Sequence, residues 1–488
     1  MIESEADSAR TAQGRSTFNK ILLLLSGNII SSLLTLLRNL LVARLISKED
    51  YGIAATFAIV MTLIEMISAF GLHQQVIQSK RDDLKWQAAL QGFQMMRAVM
   101  SAAILFFCAG MIADFMGVPQ ITWAYQLLAV VPILNGFLHL DIYRLNRQMV
   151  YGPMILSTTV PALVSFIAIW PLFLLFGDFR VMLWSILIQT GLMSLLSILT
   201  AERAFRLRLD RSSFKQVIRF GWPLLINNIL LVIVMNGEKI VVGRELGMTS
   251  LAIFAMGFTL TLTPTLVLSK SVQSFFLPQL SAAQDDDARF QPLARATVEA
   301  NFFNGALLVF AVVLLGEPFI NLVLGQKYAD LVPLMVWMAI LHAIRVFKAG
   351  GAVAALARAK TENAMVANSF RIISLPLSWW AAVQTGDLLL VIWIATLGEA
   401  AGVVASLLLM RWRAKVALSR LWPVCVAVGL LLVTAALYAL QPTSDLLSNV
   451  PRWSLVALCG ALLGLCIWTM RDARAYIKAP KIQGFGPA

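Results

Sequence analysis

The sequence predicts an all-α integral membrane protein with about fourteen transmembrane helices, and three observations support this fold class. Of the 488 residues, 59% are hydrophobic and only 13% are charged, whereas a soluble domain carries about 25% charged residues. The apolar residues form long uninterrupted runs, as membrane spans require. Basic residues are concentrated in alternate loops, which is typical of a multi-pass protein.

The apolar runs are long enough to place each span. A helix that crosses about 30 Å of hydrocarbon needs roughly 20 residues. By that measure the spans are 21–46, 52–71, 88–113, 122–143, 153–176, 181–200, 221–243, 250–279, 297–323, 331–349, 364–385, 388–410, 421–440 and 453–470. Because the loops rich in Lys and Arg belong inside, both termini are predicted to be cytoplasmic. The same rule explains the net charge of +13 without nucleic acid as a partner.

Two stretches that lie two hundred residues apart predict an internal repeat. In LLVARLISKEDYGIAA (40–55) and KIVVGRELGMTSLAIFA (239–255), Arg44 matches Arg244, and further upstream Asn28 matches Asn228. These stretches end spans 1 and 7, and the offset of six spans makes the two copies parallel. Transporters commonly use this plan. We therefore expect two six-helix lobes around a central cavity, with two helices appended.

The domain boundaries follow from the spans and from one basic segment. They are a cytoplasmic tail at 1–20, an N-terminal lobe at 21–200, a basic cytoplasmic linker at 201–220, a C-terminal lobe at 221–410, two further helices at 411–470 and a cytoplasmic tail at 471–488.

Several charged and polar residues fall at hydrocarbon depth. A charge there costs about 2.5–3.5 kcal/mol on insertion scales, so we expect these side chains to line a wet cavity. The alternative is that they only hydrogen-bond neighbouring helices. The candidate cavity residues are Asn28, Arg38, Arg97, Asn228, Glu238, Lys239 and Arg371.

Arg38 and Glu238 occupy equivalent positions in the two copies and carry opposite charges. One hypothesis is that they form an ion pair between the lobes in one state and separate in another. The alternative is that each residue pairs within its own lobe. A buried pair is a weak source of stability, but removing one partner is costly.

No motif in the chain predicts catalysis. The sequence has no metal-ligand spacing, no GxSxG elbow and no glycine-rich phosphate loop, which are the signatures of common catalytic and cofactor sites. The four cysteines lie in apolar runs without CxxC spacing, so neither a disulfide framework nor a metal site follows. We expect a protein that is not an enzyme and has no cofactor.

Three segments resemble the polysaccharide transporter family, which includes the Wzx-type flippases. They are RNLLVARLISKEDYG (38–52), NGEKIVVGRELG (236–247) and SFFLPQLS (274–281). The family belongs to the MOP superfamily, beside the MATE drug exporters and the lipid II flippases. The resemblance covers essentially the whole chain. One departure is Glu238, where the family often has Asp.

The resemblance implies an inner-membrane flippase that works by alternating access. Its substrate would be an undecaprenyl-pyrophosphate-linked oligosaccharide repeat unit for exopolysaccharide, capsule or O-antigen. The implied partners are membrane lipid and a polysaccharide polymerase or export complex, and the chain is expected to be a monomer. Two alternatives stay open: a MATE-like cation or drug antiporter, which would use Glu65, Glu299 and Glu399, and a scaffold that transports nothing.

Overall fold

The structure is a computed structural model that describes residues 27, 29–68, 70–78, 83–358, 360, 362–441 and 450–478. Within these ranges the regular structure is helical and contains no strand. The all-α class predicted from the sequence is therefore confirmed.

The contacts divide the chain into two compact units. Unit 1 comprises Met1–Asn236 and Gly247–Ala252, and unit 2 comprises Gly237–Leu246 and Ile253–Ala488. The unit boundary falls inside a long helix, later in the chain than the linker predicted at 201–220. The lobe boundaries expected from the sequence stay a prediction.

Unit 1 contains nine helices in its described part. They are α1 (29–45), α2 (Lys48–Ile67), α3 (Leu72–Gln78), α4 (Leu84–Phe115), α5 (Thr122–Leu128), α6 (Val130–Gly136), α7 (Asp141–Arg147), α8 (Gly152–Phe176) and α9 (Arg180–Leu199). The long helix α10 (Arg211–Glu245) begins in unit 1 and ends in unit 2.

Unit 2 continues with eight helices over the described residues. They are α11 (Gly247–Ala282), α12 (Asp287–Val323), α13 (Leu331–Ala357), α14 (Glu362–Thr385), α15 (Leu388–Arg413), α16 (Trp422–Leu440), α17 (Arg452–Thr469) and α18 (Arg471–Lys478). The first turn of α11 belongs to unit 1. Helix α18 occupies the start of the tail predicted at 471–488.

The described residues contain nine helices that are long and apolar enough to span a membrane, or ten if a bent pair counts as one. The predicted spans at 21–46, 52–71, 221–243 and 364–385 are not among them. The span at 21–46 lies partly outside the described residues, and the other three contain charged or polar residues, which lower their hydropathy. The number fourteen is therefore not confirmed, whereas the multi-pass character is.

The span predicted at 122–143 is not one straight helix. The structure has α5 and α6 there, followed after a break by α7, and the segments Pro119–Gly136 and Asp141–Arg147 are bent by 48°. Gln94 on α4 stabilises the break, because its Nε2 donates to the carbonyl oxygens of Asn135 and Leu138 at 2.9 and 2.8 Å. These carbonyls lie at the break, where the helical bond pattern is interrupted, and a side-chain donor satisfies them.

The segment that follows α9 is bound to unit 1 rather than free. The backbone N–H groups of Glu202 and Arg203 donate to Asp141 Oδ2 at 2.9 and 3.3 Å. Arg208 N–H donates to the Ala88 carbonyl at 3.0 Å. A Cβ at Gly92 would lie 2.2 Å from the Arg208 carbonyl oxygen, so only glycine allows this close approach.

The second half of the predicted linker is the start of α10. Asp210 caps this helix, because the Ser213 N–H donates to its Oδ2 at 3.0 Å, which satisfies a free donor of the first turn. The hydroxyls of Ser213 and Ser212 also bond the carboxylate. Bonds from Ser213 and Ser212 stabilise the charged form and lower the pKa of Asp210 to about 2.

The two repeated stretches have matching burial. Val42 and Val242 are both fully buried, and each is followed after one small residue by an exposed arginine, Arg44 or Arg244. Each stretch also ends a helix, α1 or α10. The burial of these two pairs of residues therefore matches, and the repeat of two lobes stays a prediction.

Candidate functional site

Unit 1 contains an open cavity of about 420 Å³ with polar side chains in its lining, which we call the unit-1 cavity. It lies near the ends of α2 and α6 and the start of α8, and residues within α4 and α9 also line it. Its polar lining consists of Glu65, His73, Gln94, Arg97, Asn135, Tyr143, Ser157, Thr158 and Thr190. Glu65 and His73 are exposed although they face the interior of the unit. The unit-1 cavity is therefore open to solvent.

Arg97 and Glu65 are the two charged residues of this lining, histidine apart. Arg97 Nη1 donates to the carbonyl oxygen and the hydroxyl of Ser68, at 3.1 and 3.0 Å. Glu65 Oε1 accepts a hydrogen bond from Asn135 Nδ2 at 2.8 Å. The cavity therefore carries one cation and one carboxylate, each held by neutral polar groups.

A smaller cavity of about 150 Å³ shares two residues with the unit-1 cavity. Arg97 and His73 line both, and Asn228 from the middle of α10 lines the smaller one. The His73 ring also stacks on Tyr143, with the ring centroids 4.2 Å apart. Two predicted site residues, Arg97 and Asn228, thus come together at one place.

Arg38 lies elsewhere in unit 1. It is buried on α1, and its Nη1 donates to Ser165 Oγ at 3.3 Å and to the side-chain oxygen of Gln189. Ser165 also contacts Ser185 Oγ at 2.8 Å. The guanidinium is thus surrounded by neutral oxygens of α8 and α9 and is not in the lining of the unit-1 cavity.

Unit 2 holds a dry ion cluster around Glu399. Glu399 on α15 is completely buried, and Arg345 Nε and Lys348 Nζ, both on α13, approach its two oxygens at 2.7 and 2.6 Å. Arg371 Nε on α14 lies 3.6 Å from the same carboxylate. Three cations from two helices therefore converge on one buried carboxylate.

The cluster extends to α10 through Arg371. Its Nη2 lies 2.7 Å from Glu238 Oε2, and its Nη1 donates to the Ala395 carbonyl at 2.7 Å. Lys239 Nζ lies 3.9 Å from the centre of the Phe258 ring, within the distance for a cation–π contact. We call Glu238, Lys239, Arg345, Lys348, Arg371 and Glu399 the unit-2 cluster.

The unit-2 cluster has four cations and two carboxylates. Isolated charges would be very costly in this setting, and the ion pairs offset most of that cost. Arg371 and Glu399 are 1% and 0% exposed. The ion pairs of this cluster connect α10, α13, α14 and α15, and both oxygens of Glu399 have a cationic partner.

The predicted site residues therefore separate into groups. Arg97 and Asn228 line a cavity, Arg38 is bonded to neutral side chains, and Glu238, Lys239 and Arg371 belong to the unit-2 cluster. Asn28 lies outside the described residues. Glu238 pairs with Arg371, and Arg38 bonds Gln189. Each residue therefore has its partner within its own unit, which agrees with the alternative to an ion pair between the lobes.

Sequence reasoning missed Arg345, Lys348 and Gln94. The two cations are three residues apart in span 10 and therefore lie on one face of α13. This spacing could have indicated a buried carboxylate on a neighbouring helix. Gln94 had no such signal, because its role depends on the break after α6. Among the described residues, no group of three or more His, Cys, Asp or Glu could hold a metal ion.

These features define a multi-pass membrane protein with a wet polar cavity inside a bundle of apolar helices, which is the construction of a membrane transporter. The family model described as "Polysaccharide biosynthesis protein" matches residues 41–333. The chain belongs to this family.

Two relatives show how far the similarity extends. A Klebsiella pneumoniae protein named "Uncharacterized membrane protein in cps region" is 21% identical over 72% of this chain and 73% of its own length. The lipopolysaccharide biosynthesis protein WzxC of Escherichia coli K12 is 21% identical over 64% of this chain and 64% of its own. The resemblance to Wzx-type proteins is thereby confirmed.

Two solved structures share the fold. The lipid II flippase MurJ in an inward closed conformation superposes with a TM-score of 0.69, at 14% identity, over 94% of this chain and 100% of that one. An inward-facing MATE family multidrug transporter of the MOP superfamily has a TM-score of 0.65, at 14% identity, over 79% and 94%. The fold of this chain is therefore one that transporters use.

Proposed function

We propose that this chain is a flippase of the bacterial inner membrane. It carries undecaprenyl-pyrophosphate-linked oligosaccharide repeat units outward for polysaccharide synthesis, by alternating access. Membership in a polysaccharide biosynthesis family supports the pathway, and the MurJ-like and MATE-like fold supports transport across a membrane. The observation that carries the proposal is the wet, polar unit-1 cavity.

The position of the unit-1 cavity fits loading from the cytoplasm. Its lining includes Glu65 in the last turn of α2, Asn135 in the last turn of α6 and Met154 in the first turn of α8. The distribution of Lys and Arg predicts that these helix ends are cytoplasmic. A head group made inside the cell would therefore meet this cavity, while its isoprenoid tail stays in lipid. Arg97 and Asn228 are the residues that we assign to substrate contact.

The carboxylates argue against a cation exporter. That function would need free carboxylates at membrane depth to bind a cation. Glu399 is already neutralised by Arg345 and Lys348, and Glu299 Oε2 accepts the Ala473 N–H at 2.8 Å. Of the three carboxylates that this alternative would use, Glu65 lines the unit-1 cavity.

The test is a deletion of the gene in its host. We expect undecaprenyl-pyrophosphate-linked repeat units to accumulate on the cytoplasmic face of the membrane and polymer export to stop. The wild-type chain should restore export. Arg97→Ala should restore it roughly 10- to 100-fold less well, because a hydrogen bond to a charged group contributes about 1.5–3 kcal/mol.

The matched control is Arg219→Ala, which removes an exposed arginine of α10 and should restore export fully. Normal polymer export in the deletion strain, or accumulation of a cationic dye in place of the lipid-linked units, would contradict the proposal. A complex that assembles and exports with Arg97→Ala would favour the scaffold alternative.

A further inference from the structure

The unit-1 cavity presents three buried polar atoms for which the described part of the chain offers no hydrogen-bond partner. They are Gln94 Oε1, Asn135 Oδ1 and Arg97 Nε. All three residues line the cavity, and Gln94 is only 1% exposed. Buried polar groups are almost always satisfied by protein, water or ligand. These atoms therefore indicate what the cavity is built to bind.

The orientation of the two amides is fixed by their other bonds. Gln94 Nε2 donates to backbone carbonyls, and Asn135 Nδ2 donates to Glu65. Reversing either amide would place oxygen against oxygen. Among the buried atoms without a partner, two are therefore acceptors and one, Arg97 Nε–H, is a donor, and the Glu65 carboxylate is a third acceptor beside them.

This set of atoms discriminates between the two polar parts of a lipid-linked glycan. A diphosphate offers acceptors only, so it would meet two amide oxygens and a carboxylate with a single arginine to favour it. A sugar hydroxyl donates and accepts at once, so it satisfies both kinds of atom. We propose that the unit-1 cavity binds sugar hydroxyls of the oligosaccharide and excludes its diphosphate, an inference that rests on the proposed function.

The aromatic pair and the size of the cavity agree with a sugar. His73 and Tyr143 stack on each other and both line the cavity, and an aromatic face packs against the C–H face of a pyranose ring. The volume of about 420 Å³ lies within the range of roughly 300–1,000 Å³ for small-molecule sites. The lining is balanced in charge, with Glu65 and Arg97 as its two charged groups. A hydroxyl-rich ligand without net charge fits such a site.

The test measures binding to the purified full chain in lipid nanodiscs. The probes are the lipid-free oligosaccharide released by hydrolysis from the polysaccharide that the host exports, and inorganic pyrophosphate. We expect saturable binding of the oligosaccharide that pyrophosphate does not displace. His73→Ala should weaken binding roughly three- to tenfold, whereas His73→Phe, which keeps an aromatic ring, should retain it.

Asn135→Leu is the second variant and should weaken binding about fivefold. Ile77→Ala, which changes an exposed side chain on the same short helix as His73, is the matched control and should bind normally. Each variant is checked by gel filtration. Displacement of the oligosaccharide by pyrophosphate, no oligosaccharide binding, or binding that neither His73→Ala nor Asn135→Leu weakens would overturn the inference.

The outcome separates this inference from the proposed function. Accumulation of lipid-linked units in the deletion strain together with pyrophosphate binding in the unit-1 cavity would leave the flippase intact and refute the sugar site. Sugar binding without any accumulation would refute the flippase and retain the sugar site.

Discussion

The unit-1 cavity and the unit-2 cluster place charged residues inside apolar helices by opposite means. In unit 1 the charges face a cavity that solvent enters, and neutral side chains such as Ser68 and Asn135 hold them. In unit 2 four cations and two carboxylates are packed together, and all of them except the two lysines are buried. Both arrangements avoid the cost of a lone charge in hydrocarbon, but only the first leaves room for a ligand.

The difference has a consequence for function and stability. A residue that faces a wet cavity can be changed at low cost to folding, because water replaces its contacts. A residue in a dry cluster cannot, because its loss strands a charge. We therefore expect substitutions in unit 1 to affect transport first and substitutions in the unit-2 cluster to affect folding first.

The largest expected effect is that of Glu399→Gln. This change leaves Arg345 and Lys348 without a carboxylate in a site from which water is excluded. Stranding a buried charge costs about 3–5 kcal/mol, so the variant should lose most of its folded protein. Thermal unfolding in detergent, followed by gel filtration, measures the loss.

The control for this prediction is the double variant Glu399→Gln with Lys348→Met. It removes one of the unpaired cations and should recover part of the lost stability. If Glu399→Gln is as stable as wild type, the unit-2 cluster is hydrated and the contrast between the two units fails.

A smaller effect is expected for Gln94→Leu in unit 1. The variant removes the amide that bonds the carbonyls of Asn135 and Leu138 at the break after α6. An unsatisfied buried polar group costs about 1–3 kcal/mol, and Gln91, which donates to the Leu138 carbonyl at 3.0 Å, limits the loss. The same unfolding measurement checks this value, with Met96→Leu, an exposed side chain of α4, as the control.

The relation between sequence and structure differs for the two regions. Composition and loop charge predicted the membrane fold, because the bilayer imposes span length and orientation on any such chain. Depth in the spans also predicted that Arg97, Glu238, Lys239 and Arg371 need water or partners. Depth did not predict whether each residue contacts water or an ionic partner, because this depends on helices that are distant in the sequence.

The unit-1 cavity depends on a helix break that a hydropathy pattern does not predict. A hydropathy window predicts one helix at 122–143, but the helix is interrupted between Gly136 and Asp141. Gln94 bonds the carbonyls at that break, and Asn135 lies just before it at the end of α6. The polar residues of the site were visible in the sequence, whereas the geometry that unites them required the bend.

The smallest expected effect is that of Lys239→Met. This variant tests how much one cation of the unit-2 cluster contributes to stability. Lys239 Nζ packs over the Phe258 ring, and the Arg345 guanidinium lies 5.6 Å from the same ring centre. Removing Lys239 loses a cation–π contact of about 0.5–2 kcal/mol. It also removes one of the two excess positive charges of the cluster and the cost of burying an ammonium group.

These opposing contributions should leave the stability of Lys239→Met within about 1 kcal/mol of wild type. Methionine fills a similar space and keeps a favourable contact with the ring. The unfolding measurement used for Glu399→Gln provides the comparison. A loss as large as that of Glu399→Gln would mean that Lys239 is a required counter-ion of Glu238, and that the cluster has no surplus cation. An unchanged midpoint would show that the carboxylates, and not the number of cations, hold the four helices of the cluster together.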